Sequence, residues 1–159
     1  MKTLVVFYSR TENTKKIAES ISKSLDCDIE EIVDTEKRGG IIGYIKSGYE
    51  ASRGKLSKIK DPKNDASQYD LVIIGTPVWA GKMAVPVRTY ITQNQGKFNK
   101  IAFFSTAGGT NFDGTFSDMK EVSGASPTAE IGIRAKEVQD GSYKTKVAEF
   151  LTKIQQFDK

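Results

Sequence analysis

Five strand-like runs separated by helical patterns predict an α/β fold in three layers: a doubly wound, five-stranded parallel sheet with helices on both faces. Two observations carry this reading. Three of the runs, Thr3–Tyr8, Leu71–Gly75 and Ile101–Ser105, are continuously apolar, as strands are when both faces of their sheet are covered. The stretches between runs repeat apolar residues at the helical period.

The first run leads through the turn-like Thr11–Thr14 into a helix that carries Ile17, Ala18, Ile21 and Leu25 on one face. The second run, Asp28–Val33, is broken by Glu30 and Glu31, so it belongs at a sheet edge. After the third run, Met83–Gln93 reads as a helix with Pro86 in its first turn, where proline is tolerated. The fourth run is followed by a weaker helix candidate, Thr115–Val122. The fifth, Thr128–Ile133, alternates, with Ala129, Ile131 and Ile133 facing one way, and is the second edge candidate. Tyr143, Val147, Phe150, Leu151 and Ile154 form the clearest amphipathic stripe. The connection 34–70 is unusually long. It holds a helix pattern in which Ile41, Ile45, Gly48, Tyr49 and Ser52 share one face and Lys46, Glu50 and Arg53 the other. With no internal repeat or interdomain linker, residues 1–159 are expected to form one domain.

The composition excludes several chemistries. The 159 residues include no histidine, so the chain supplies no Ser-His-Asp triad, no Cys-His pair and no imidazole acid–base group. Its single cysteine, Cys27, rules out an intramolecular disulfide and a cysteine-rich zinc site, and reads as a small packing residue. Met1 is followed at once by a strand-like run, and no apolar run approaches a membrane span. A cytoplasmic protein without a signal peptide or membrane insertion is expected. Hard chemistry here calls for a cofactor.

In parallel α/β sheets, ligands bind at the carboxyl ends of strands, where strand order reverses. After the first run come Ser9-Arg10-Thr11-Glu12-Asn13-Thr14 and then a helix start. Ser9, Thr11, Asn13 and Thr14 offer hydroxyl and amide hydrogens, and the helix adds free N–H groups and the positive end of its dipole. That suits a terminal phosphate, although ordinary helix capping uses the same residue types. The loop lacks the glycines of a dinucleotide site and the Gly-Lys-Ser/Thr of a P-loop. After the third run, Thr76-Pro77-Val78-Trp79-Ala80-Gly81-Lys82 carries the only tryptophan in a Pro/Gly-bounded loop, where an exposed indole can stack on a flat ligand. After the fourth, Ser105-Thr106-Ala107-Gly108-Gly109-Thr110-Asn111-Phe112 pairs two glycines, which let a backbone approach a ligand closely. Phe112 is placed to reach the same region.

On these three loops the chain resembles the flavodoxin family, over nearly its whole length. The resemblance implies a flavodoxin-like strand order of 2-1-3-4-5, which puts the two edge candidates at the edges. It implies FMN as cofactor. Ser9, Thr11, Asn13 and Thr14 would hold its phosphate, with Arg10 and Glu12 in the same loop. Trp79 would stack on the isoalloxazine, and backbone groups of Thr76–Gly81 and Ser105–Gly109 would face its edges. Gly81 is the candidate for the peptide that turns when the flavin is reduced. Two features depart from the electron-carrier pattern. The third loop has Ala107-Gly108-Gly109 where such carriers often have a tyrosine, which leaves one flavin face open. The chain is also basic where they are acidic.

The positive charge is local. Residues 36–63 hold eight basic and three acidic side chains, a net of +5 against +4 for the whole chain, so all other residues together carry −1. No nucleic-acid module accompanies them. A solvated surface, or a docking face for an acidic redox partner or an acidic substrate, are the readings that fit. The function expected is an FMN electron carrier, with an FMN-dependent NAD(P)H:quinone oxidoreductase as the alternative and a flavodoxin-like protoporphyrinogen oxidase further off. A phosphoacceptor domain would need acids where Ser9-Arg10 and Thr76-Pro77 stand.

Overall fold

Alternation along the first strand sets the architecture. In β1 (Thr3–Phe7), Leu4 and Val6 face one helical layer while Val5 and Phe7 face the other, and all four are buried. The sequence places branched or aromatic residues at every one of these positions, and a strand so built is stable only in the middle of a covered sheet. In the computed structural model, which describes residues 1–158, the remaining strands and α-helices are α1 (Glu12–Leu25), β2 (Asp28–Glu31), α2 (Gly40–Ser52), β3 (Leu71–Trp79), β4 (Lys82–Met83), α3 (Val85–Gln93), β5 (Ile101–Ala107), α4 (Asp113–Ser123), β6 (Glu130–Arg134), α5 (Ala135–Asp140) and α6 (Tyr143–Gln156), with a short 3-10 turn at Ala66–Gln68 before β3.

The sheet runs β2-β1-β3-β5-β6, with every neighbouring pair parallel. The expected order 2-1-3-4-5 needs one correction. Lys82–Met83 forms a sixth strand, antiparallel to the end of β3, and shifts the numbering of those that follow. It escaped detection because two residues are too short to show a period. The same correction turns the expected loop Thr76–Lys82 into a hairpin. β3 continues through Trp79, and Ala80 and Gly81 make a two-residue turn with φ of 49° and 75°. Two positive φ values in succession are what a tight hairpin turn requires.

One core packs Leu4, Val6, Val72, Ile74 and Phe103 against Val87, Tyr90 and Met119 on the α2–α4 face. The other packs Val5, Phe7, Ile73 and Phe104 against Ile17, Ile21, Val147 and Phe150 on the α1/α6 face. Gly75 is required where it stands. A β-carbon there would lie 2.0 Å from the Phe104 ring, which crosses the strand at that point.

The long connection is more structured than its glycines suggest. Glycine disfavours helix, yet α2 forms because Gly43, Ser47 and Ala51 make a narrow buried face. A β-carbon at Gly43 would collide with the Arg38 backbone at 2.4 Å. The helix therefore buries its small residues and turns Ile41, Ile45 and Tyr49 outward. Beyond it, Ile59 bridges Asp34 in antiparallel fashion, and the Glu30 carboxylate accepts hydrogen bonds from the Asn64 backbone and side chain at 3.1 and 2.9 Å. This strap is tied to the chain just beyond β2 and to the Glu30 side chain, while the strand's own residues stay mostly exposed. No helix among the described residues is long and apolar enough to cross a membrane.

Candidate functional site

Residues 9–14, 76–81 and 105–112 follow or end β1, β3 and β5, three neighbouring strands. The parallel register aligns Phe7 with Gly75 and Thr76 with Ser105, so the three segments leave the sheet along one edge.

The first segment turns sharply. The Ser9 hydroxyl donates to the Thr11 carbonyl and accepts the Lys15 backbone N–H at 3.2 Å, closing the loop on the first turn of α1. Thr11 is the N-cap residue and has extended dihedrals, but its side chain makes no capping hydrogen bond. An exposed threonine hydroxyl and first-turn N–H groups thus remain available at the positive end of a 14-residue helix. Glu12 is exposed and Asn13 half-buried. Thr14 is buried, and its Oγ1 lies 2.8 Å from Thr106 Oγ1, which ties the first segment to the third.

Arg10 turns away from the loop. Its Nη2 donates to the Gly40 carbonyl at 3.2 Å, its guanidinium lies 5.3 Å from the Tyr44 ring centroid, and its Nη1 is buried without a partner.

In the second segment, Thr76 and Ser105 are occupied by the sheet itself. Ser105 Oγ donates to the Thr76 carbonyl at 2.8 Å, and Thr76 Oγ1 accepts the Ala84 N–H at 2.9 Å. Pro77 and Val78 are half-buried, and Ala80 and Gly81 form the exposed tip. Two anchors hold that tip. Asp118 accepts the Met83 N–H at 3.2 Å while paired in the interior with Arg88, its Oδ1 lying 2.6 Å from Nη2. The Gly81 carbonyl meets α4 so closely that a β-carbon at Gly114 would lie 2.6 Å from it.

Trp79 is not the exposed indole that its loop position suggests. It is 8% exposed. Tyr8 meets it edge-on, with ring centroids 5.4 Å apart and planes at 89°, and the Arg38 guanidinium lies 5.3 Å from its centroid. Arg38 is itself buried and pairs with Asp34 at 2.5 Å and Glu50 at 2.9 Å, donating also to Ser47 at 3.2 Å. Burial opposes its charge, but the hydrogen bonds with Asp34 and Glu50 outweigh that and hold the guanidinium above its ordinary pKa. Burial, reinforced by the Asp34 carboxylate, likewise raises the Tyr8 phenol. Arg38 is one of the eight basic side chains of residues 36–63, and its charge alone does not set it apart from the lysines there. The only local hint of its role is the i, i+4 spacing from Asp34.

In the third segment, Ala107 is half-buried, and Gly108 and Gly109 are exposed with open space where β-carbons would sit. Phe112 does not reach over this opening. Its ring packs on β6, 2.2 Å from where a Gly132 β-carbon would be, and stacks on Phe116 with centroids 6.3 Å apart. Gly132 is what draws it there.

No protein-family model and no curated protein matches the chain. Solved structures do. A flavoprotein from Lactobacillus acidophilus NCFM, in complex with FMN, is 30% identical over 89% of this chain and 98% of its own, with a TM-score of 0.72. The NMR structure of the apo-form of the flavoprotein from Lactobacillus acidophilus NCFM is 27% identical over 87% of this chain and 95% of its own, with a TM-score of 0.65. The Trp repressor binding protein of Bacillus subtilis is 14% identical over 94% and 98% of the two chains, with a TM-score of 0.59; that likeness is of fold alone.

Proposed function

This chain belongs to the flavodoxin-like flavoproteins, and from that premise we propose that it binds FMN non-covalently and carries electrons between redox partners. The observation that carries the proposal is the first segment, where the N-cap residue Thr11 makes no capping bond and exposes its hydroxyl at a helix start that Thr14 ties to Thr106, just ahead of the open Gly108-Gly109. The donor set suits a phosphate monoester: hydroxyls and N–H groups at a helix N-terminus. Thr11, Asn13 and the N–H groups of the first turn would hold the phosphate. Thr14 would steady them through Thr106, and Trp79 with the Ala80-Gly81 turn would flank the ring. FMN, when bound, supplies the redox chemistry; the chain needs no acid or base of its own, in keeping with its lack of histidine.

The test is direct. Purified protein titrated with FMN should quench flavin fluorescence stoichiometrically and give a structured flavin absorbance. Absence of binding would end the proposal.

A second reading, an FMN-dependent NAD(P)H:quinone oxidoreductase, is favoured by one observation. With Phe112 drawn onto Gly132, no aromatic side chain of the third segment covers its opening. Rapid anaerobic bleaching of bound flavin by NADPH or NADH would select the enzyme, and slow bleaching the carrier.

A further inference from the structure

Helix α2 presents its apolar face to solvent. Ile41 and Ile42 are 80% and 84% exposed, and Tyr44, Ile45 and Tyr49 are exposed beside them. Five large apolar side chains on one short helix form a contiguous patch, and such patches on soluble surfaces mark interaction sites. Their rim is basic. Exposed Lys37 and Lys46 lie just before and within α2, and the cationic ends of Arg53 and Lys55 both lie over the Tyr49 ring, at 5.4 and 5.3 Å from its centroid.

We propose that this face of α2 is the docking surface for an acidic redox protein, whose apolar centre seats on Ile41, Ile42 and Ile45 and whose carboxylates meet the basic rim. The inference rests on the electron-transfer reading and names the partner's chemistry. Three observations select that occupant. Complementarity of charge calls for an acidic partner, since exposed Lys37, Lys46, Arg53 and Lys55 on and beside α2 outnumber the nearby acids Glu36 and Glu50. The same charge opposes a second copy, because two such rims would meet with like sign. A protein fits better than an anionic bilayer on two counts. Lys46 is already shared between Glu36 at 3.4 Å and Glu50 at 3.7 Å, so the rim is a mixed pattern of discrete charges and not a polybasic stretch. A cavity of about 450 Å³ also opens between α2 and the end of β3, lined by Tyr44, Tyr49, Val78, Trp79 and Ala80. A side chain protruding from a partner fills such a concavity; a flat bilayer leaves it empty. Its wall includes Trp79, so a partner seated here lies beside the ring proposed to flank the flavin.

The experiment uses the full chain and a plant-type [2Fe–2S] ferredoxin, chosen as an acidic one-electron protein. Calorimetric titration at low salt should show binding that weakens as salt rises. Ile42→Asp and Lys55→Glu should each weaken it by about tenfold or more. Both variants should keep the wild-type far-ultraviolet circular dichroism and FMN affinity, since neither position touches the three site segments; loss of FMN binding by the wild type would instead indict the cofactor reading. No ferredoxin binding, or binding indifferent to both substitutions, overturns the proposal. So does cosedimentation with phosphatidylcholine–phosphatidylglycerol vesicles that Ile42→Asp abolishes, which would make the face a membrane contact. A dimer in sedimentation equilibrium that Ile42→Asp dissolves would make it a self-interface and overturn the proposal equally.

Discussion

Arg38 links the long connection to Trp79, and its removal tests the construction of the site. The side chains of Arg38 and Asp34 are each 4% exposed, and that of Glu50 is 13% exposed. Arg38→Met keeps most of the volume but leaves Asp34 charged, buried and without its cation. Breaking a buried pair from one side costs about 3–5 kcal/mol. Glu50 has a second cation, Lys46, 3.7 Å away, so Asp34 dominates and the lower end, about 3 kcal/mol, is expected. That is a large share of the ~5–15 kcal/mol that holds a domain folded. Urea denaturation at neutral pH measures it as a drop in midpoint with unchanged slope. The double variant Arg38→Met, Asp34→Leu removes both charges and should recover most of the loss, because an apolar pair of similar volume replaces a buried ion pair at little cost. A single-variant loss below about 1 kcal/mol, within the range of solvated surface pairs, would refute the reasoning. A double variant less stable than the single would refute it as well.

Other perturbations test neighbouring contacts. Trp79→Ala removes a buried ring from beneath Tyr8 and Arg38 and should lower unfolding free energy by about 3–5 kcal/mol and weaken FMN binding with it; unchanged affinity in a fluorescence titration would remove Trp79 from the ring's surroundings. Thr14→Val deletes the 2.8 Å contact with Thr106 and strands a buried hydroxyl, so unfolding free energy should fall by about 1–3 kcal/mol. Gly75→Ala drives a methyl into the Phe104 ring and should cost about 1–3 kcal/mol or more in thermal or urea unfolding. Tyr69 donates to Asp28 at 2.6 Å, and that hydrogen bond, with burial, pushes its phenol up to about 12. The folded state then holds the proton that the unfolded chain releases near pH 10, so this contribution is complete below about pH 10 and lost as pH climbs toward 12. Tyr69→Phe should flatten the alkaline fall in stability relative to wild type over that interval.

What could be read from the sequence follows the range of the interactions involved. The buried strands announced themselves because Val5, Ile73 and Phe103 each sit in unbroken apolar runs, a consequence of two-sided burial that is local to the chain. The strand-to-helix turn at 9–14 is legible for the same reason, because it joins two strongly patterned elements within six consecutive residues. Trp79 was legible as a site-edge residue but not as a buried one, because its covers, Tyr8 and Arg38, are distant in the chain. Phe112 was misplaced because Gly132, whose missing side chain makes room for its ring, lies twenty residues on. Helix α2 was legible only in part. Periodicity groups Ile41, Ile45 and Tyr49 on one face without saying which way it points, and Gly43, Ser47 and Ala51 pack more closely and take the inside. Helix α5, Ala135–Asp140, is too short for periodicity to reveal.

These failures share a cause that bears on function. A chain that needed only a folded domain could have placed isoleucines at positions 43, 47 and 51 and buried them. Instead the small residues set α2 down against its own connection, where the Arg38 backbone leaves no room at Gly43 for a β-carbon. The buried face also delivers Ser47 to Arg38, and Glu50 joins the same cation from the adjacent position. One helix thus serves in two directions. Its inner side fixes the guanidinium that covers Trp79, and its outer side exposes Ile41, Ile42 and Ile45 within a basic rim. A partner that pressed on the outer face would meet a helix tied through Arg38 to the ring beside the proposed flavin. The same substitution that unseats Arg38 should therefore lower both stability and ferredoxin affinity, whereas Ile42→Asp should lower only the second.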